Sequence, residues 1–107
     1  MIKKILFICS KNKWRSLTAE TIYKDHKEYS VKSAGTASTA RVKINSKLIT
    51  WADIIFVMER KHQEKLFQSF PVEVEMKQIV ILEIEDKYKF MDVELIEEIK
   101  AGVDQYM

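Results

Sequence analysis

The chain is poor in punctuation and in cross-links. Its 107 residues include two glycines, one proline and one cysteine. A lone cysteine excludes an intramolecular disulfide, which suits a reducing compartment. So few glycines and prolines leave no flexible linker, and neither a repeat nor a low-complexity tract occurs. No apolar run reaches the ~18 residues that a membrane span requires. The opening MIKKILFICS lacks the length and the small-residue cleavage site of a signal peptide, so a cytoplasmic protein with no membrane partner is expected. Net charge is only +2, too small a field to draw nucleic acid to the whole surface. No His, Cys and Asp group has metal-ligand spacing, so neither a metal nor a cofactor is expected.

What remains is an ordinary globular balance. At 47% apolar and 32% charged residues the chain can fill one core and solvate its surface. Residues 1–107 are therefore expected to form a single domain. Lys4 to Ile8, Ile54 to Met58 and Gln78 to Leu82 are nearly continuous apolar runs, as in strands covered on both faces. Tyr29 to Ser33 is a weaker strand, expected nearer an edge. Between them lie helical stripes: Ala19, Ile22, Tyr23 and His26; Leu48, Ile49 and Ala52; His62, Leu66, Phe67 and Phe70, stopping before Pro71. The clearest is Leu95, Ile96, Ile99, Val103 and Tyr106, with Asp92 as N-cap. Both histidines are expected to be half-buried helix positions. Alternating strands and helices predict an α/β fold, three-layer α/β/α, around a four-stranded parallel sheet.

In such a fold ligands sit beyond the carboxyl ends of the strands. CSKNKWRS, Cys9 to Ser16, lies there, after the first strand and opening the first helix. A loop turning from strand into helix aims several backbone N–H groups at one point, where the helix dipole adds positive potential. An oxyanion fits that cradle, and Arg15 can grip two of its oxygens with a planar fork. The same groups favour a thiolate, so Cys9 is expected to be nucleophilic near neutral pH. Ser16 can donate a hydrogen bond to the sulfur. Asn12 tolerates the left-handed backbone that such a loop needs somewhere. Attack on phosphorus, a phosphocysteine intermediate and its hydrolysis form the reaction these groups permit.

Cys9, Arg15 and Ser16 in this spacing after a first strand resemble the low-molecular-weight protein tyrosine phosphatases, which also have asparagine where Asn12 stands. Ser33 to Thr36 (SAGT), Trp51 to Arg60 (WADIIFVMER) and Glu85 to Phe90 (EDKYKF) resemble later segments of that family, in the right order. The resemblance covers nearly the whole chain and is nearest to a short, predicted-phosphatase branch. It implies a phosphatase-I-like fold with Cys9 as nucleophile, Arg15 on the phosphate and Asp86 as general acid and then base. Ser10, Lys11, Asn12, Lys13, Trp14, Arg15 and Ser16 would form the phosphate loop. Asn12, Ser16 and Ser33 would support it, and Trp14 and Tyr88 would wall the pocket. The implied substrate is a phosphorylated protein or small aryl phosphate, with inorganic phosphate or a similar oxyanion as product and inhibitor. A monomer is expected.

Three departures stand out. Lys11 replaces a usual glycine, so a changed loop path or opening is expected there. Glu85 and Lys87 replace prolines beside the acid. The stretch TASTARVKINSKLIT stands in for a longer helical segment, so one pocket wall is expected to be missing or remade. Gly35 is expected to serve a turn near the loop. Two other functions fit parts of the pattern. A thiol-assisted arsenate reductase would need an external thiol beside Cys9. A phosphate- or phosphoprotein-binding module would bind without turnover. RNA binding through Lys11, Lys13 and Arg15 beside Trp14 is not expected, because no basic stripe extends beyond the loop.

Overall fold

A computed structural model describes residues 2–107. The elements, in chain order, are β1 (Lys3–Cys9), α1 (Arg15–Tyr23), β2 (Tyr29–Gly35), α2 (Ser46–Trp51), β3 (Ile54–Val57), α3 (Arg60–Ser69), α4 (Pro71–Val74), β4 (Gln78–Ile81) and α5 (Val93–Asp104). The strands form one sheet in the order β2-β1-β3-β4, and every neighbouring pair is parallel. This is the predicted four-stranded α/β architecture.

Alternation along the two central strands builds two cores. Ile5, Phe7 and Cys9 of β1, with Ile54 and Phe56 of β3, pack with Ala19, Leu95, Ile99 and Val103 of α1 and α5. Leu6 and Ile8, with Ile55 and Val57, face the other way onto Ile49, Leu66 and Val74 of α2, α3 and α4. Both faces of β1 and β3 are thus covered, which is why those runs are continuously apolar.

Some expectations fail at the periphery. β4 is an edge strand with Gln78 exposed. Val80 is buried in one core, while Ile79 and Ile81 pack only partly buried against the other, so both faces are covered less fully than those of β1 and β3. The α1 helix ends at Tyr23, and His26 lies beyond it, exposed and stacked on Tyr29 at 4.0 Å. Phe67 and Tyr106 are about half exposed (50% and 45%), off the buried stripes of their segments. His62, in contrast, is fully buried rather than half-buried, in the first turn of α3. Asp92 caps α5 as predicted, accepting a hydrogen bond from the Glu94 N–H at 2.9 Å.

Candidate active site

The loop from Cys9 to Trp14 joins the centre of the sheet to α1, and its backbone is turned by bonds made on its outer side. The carbonyls of Cys9, Ser10 and Lys11 accept from the N–H groups of Thr36, Ala37 and Arg41 at 3.0, 2.9 and 3.0 Å. The Asn12 carbonyl accepts from Arg41 Nε at 3.3 Å. With the carbonyls held outward, the loop amides turn inward, and the Asn12 N–H reaches Cys9 Sγ at 3.2 Å. The segment after SAGT is therefore the buttress of the loop.

Among the loop residues only Asn12 has a positive φ, 56°. The left-handed position falls on the residue that tolerates it, and Lys11 has no positive φ that would call for glycine. Gly35 is needed for space and not for a turn: its φ is not positive, and it pairs with Cys9 across the sheet. A Cβ there would lie 2.4 Å from the Ser10 carbonyl oxygen and 2.9 Å from the Asn12 nitrogen.

Hydrogen-bond directions inside the loop follow from its end partner. Glu20 can only accept when ionised, so Ser33 Oγ donates to it at 2.5 Å and accepts from Asn12 Nδ2 at 2.8 Å. The second Asn12 Nδ2 hydrogen goes to Ser16 Oγ at 2.7 Å. The Ser16 hydrogen then has two acceptors within reach, Cys9 Sγ at 2.9 Å and the more distant Ala34 carbonyl at 3.4 Å, and the shorter contact is to the sulfur. Asn12, Ser16 and Ser33 are all buried, and the chain of bonds ends on the sulfur. Asn12 Oδ1 is buried with no partner among the described residues, a cost accepted to keep both donors pointing inward.

Arg15 is 2% exposed and opens α1, whose N-terminus has no side-chain cap. Its Nη1 donates to Glu59 Oε1 at 2.6 Å and to the Ile84 carbonyl at 2.8 Å, which fixes the guanidinium and leaves Nε and Nη2 without a hydrogen bond among the described residues. Burial works to raise the Glu59 carboxyl, but the hydrogen bond and charge of Arg15 outweigh it and hold Glu59 below the usual carboxylate value. Asp86 Oδ1 lies 3.8 Å from Arg15 Nε, on a side chain 56% exposed.

Cys9, Ser10, Lys11, Lys13, Trp14, Arg15 and Asp86 together line one cavity of about 180 Å³. Asn12 and Ser16 lie behind it. Tyr88 is a correction: it is 7% exposed and packs in the core with Leu95 and Ile99, so it does not wall the cavity. Lys87 sits over its outer face, 5.3 Å from the ring centroid. Trp14, 43% exposed, is the aromatic wall that remains. Sequence reasoning missed Glu20 and the roles of Glu59 and His62. The spacing Glu59-x-x-His62 before a helical stripe was a legible signal, because it forms a capping box at the start of α3.

Residues 4–50 match the sequence model of the family described as Low molecular weight phosphotyrosine protein phosphatase. That span carries β1, the loop, α1 and the buttress. In this stretch the chain is similar to the low-molecular-weight phosphotyrosine phosphatase family. Among curated sequences no relative matches. Solved structures with the same fold include Wzb of Vibrio vulnificus in complex with benzylphosphonate, 21% identical, with TM-score 0.78 over 99% of this chain and 97% of that one. The tyrosine phosphatase Wzb of Escherichia coli K30 in complex with phosphate is 20% identical, with TM-score 0.79 over 99% and 96%. The YwlE arginine phosphatase of Geobacillus stearothermophilus is 22% identical, with TM-score 0.67 over 96% and 84%. At these identities the likeness speaks for the fold, while the phosphatase-family match covers the segment that builds the loop.

Proposed function

We propose that this chain is a cysteine-dependent phosphomonoesterase of the low-molecular-weight type, a single domain acting on aryl phosphates, with protein phosphotyrosine as the substrate class. The observation that carries the reading is one cavity lined by Cys9, Arg15 and Asp86. A phosphoryl group there would have its oxygens on the loop amides and Arg15, with its phosphorus facing Cys9 Sγ. The sulfur attacks, an S–P bond forms and the P–O bond to the aryl group breaks, while Asp86 gives its proton to the departing oxygen. Water then attacks phosphorus, Asp86 takes a water proton, and the S–P bond breaks to release inorganic phosphate. The Ser16 hydroxyl supports the departing thiolate at 2.9 Å. Asp86 at the cavity favours turnover over a module that only binds. Cys9 is the single cysteine, so arsenate reduction would depend on an outside thiol.

The test is hydrolysis of p-nitrophenyl phosphate and phenyl phosphate. Cys9→Ser should abolish release of phosphate, and equal rates for variant and parent would end the reading. Asp86→Asn should lower kcat by about 10²–10⁴ on phenyl phosphate and by less on the p-nitrophenyl ester, whose leaving group needs protonation less. Because structures of the same fold include both tyrosine and arginine phosphatases, phosphotyrosine and phosphoarginine peptides should be compared directly. A preference for phosphoarginine would overturn the aryl assignment alone.

A further inference from the structure

One polar side chain of the cavity has no role in the chemistry above. Ser10 lines the cavity beside Cys9 and Arg15, and its Oγ lies 2.9 Å from His62 Nε2. The direction of that bond can be deduced. A backbone N–H can only donate, and the Glu59 N–H reaches His62 Nδ1 at 3.0 Å, so Nδ1 carries no proton. The ring is 1% exposed, and burial together with the Arg15 charge pushes its pKa down to about 4. It is therefore neutral near pH 7, with its one proton on Nε2. His62 donates and Ser10 Oγ accepts. Among the described residues Ser10 Oγ makes no other hydrogen bond, so its hydrogen is free for the cavity. The residue cannot swing away easily, since its carbonyl is held by the Ala37 N–H at 2.9 Å.

We infer that Ser10 is a substrate-contacting residue whose hydroxyl, turned by His62, donates to a non-bridging phosphoryl oxygen, with His62 as its positioning residue. The inference rests on the reading of the cavity as a phosphoryl site. It also gives Glu59 two tasks from one position. Its carboxylate holds Arg15 at 2.6 Å, and its N–H fixes the His62 ring that orients Ser10. Two ligands from different parts of the loop are thereby referred to the first turn of α3. A hydroxyl that already accepts from a fixed donor is polarised and donates more strongly, so the relay adds to anion affinity.

The experiment is calorimetric binding of inorganic phosphate to the full chain, alongside p-nitrophenyl phosphate kinetics. Ser10→Ala should weaken phosphate about tenfold, the range for a hydrogen bond to a charged group, and raise KM with less effect on kcat. Ser10→Thr, which keeps the hydroxyl, should restore most of the affinity. Two His62 variants separate orientation from helix capping. His62→Asn keeps an acceptor near Nδ1 for the Glu59 N–H but loses the distal donor, so phosphate binding should fall as for Ser10→Ala. His62→Gln places a residue that itself suits a capping box at this position and carries an amide donor that reaches as far as Nε2, so affinity should fall clearly less than for His62→Asn. Combining Ser10→Ala with His62→Asn should weaken binding no further than either alone. Binding by Ser10→Ala within twofold of the parent would overturn the inference while hydrolysis by the parent still stood. A parent that neither binds phosphate nor hydrolyses the ester would overturn the phosphoryl reading and the inference with it. Should His62→Asn fail to fold, the Ser10 pair still decides.

Discussion

His62 shows how one buried side chain ties the site to the stability of the fold. Its ring is held neutral by burial and by the nearby Arg15, with a pKa of about 4 against an ordinary 6.5. Above pH 6.5 folded and unfolded chains are both neutral at this position, and its full contribution is present. As pH falls towards 4 the unfolded chain takes up a proton that the folded chain refuses, so stability drops. The loss is at most about 3 kcal/mol and is complete near the folded pKa. Glu59, also held below its usual value, adds a loss of the same sign at lower pH. Urea unfolding at pH 7 and pH 5 should show the parent losing stability, and His62→Asn losing clearly less. Parallel losses would remove His62 as the cause. Beside it, Gly35 and Asn12 set the loop by geometry: one leaves room for the Ser10 carbonyl, and the other takes the left-handed turn.

At the level of elements, the stretch between β2 and α2 does what a longer helical segment was expected to do differently. It gives up regular structure to bind the outer carbonyls of the loop, and it meets the end of β2 in an isolated bridge between Gly35 and Lys43. Arg41→Ala removes the Nε bond to the Asn12 carbonyl, at a cost of about 1 kcal/mol. Asp92→Ala removes the N-cap of α5 at a similar cost of about 1 kcal/mol. The two variants should unfold at similar urea concentrations yet differ in function: Arg41→Ala should bind phosphate more weakly, and Asp92→Ala should match the parent. Equal phosphate affinities in the two would show that the buttress does not shape the cradle. The loop after β4 has its own anchors, with the Leu82 N–H on the Val57 carbonyl at 2.9 Å and the Ile84 N–H on the Met58 carbonyl at 2.8 Å. They bring Asp86 to the cavity without the prolines that flank an acid in the resembling family.

For the whole molecule, charge is balanced but unevenly used. The net charge of +2 is small, whereas the cavity is lined by Lys11, Lys13 and Arg15 against the single carboxylate of Asp86. Anionic substrates should therefore be drawn to one face, with an attraction that salt screens within ~10 Å at 0.1 M. Raising the salt should increase KM for p-nitrophenyl phosphate. Lys11→Gly should show a higher KM at low salt and a shallower salt dependence, converging on the parent at high salt. A slope unchanged by the substitution would mean that Lys11 is only solvated. Among the described residues no helix is long and apolar enough to cross a membrane.

The sequence by itself determined the strand order along the chain, the parallel α/β class and the placement of Cys9, Asn12, Arg15 and Ser16 on a strand-to-helix loop. Those features are local: apolar runs, helical spacing and a motif eight residues long. Only the tertiary structure decided which side chains from afar complete the site. Glu20 of α1, and Glu59 and His62 at the start of α3, take roles that depend on hydrogen-bond directions no spacing encodes. Tyr88 went the other way, since a tyrosine two residues after Asp86 serves a pocket wall or a core equally well until packing chooses. A short chain can write a loop into contiguous residues, but the groups that orient it must come from wherever the sheet brings a neighbour close enough to bond.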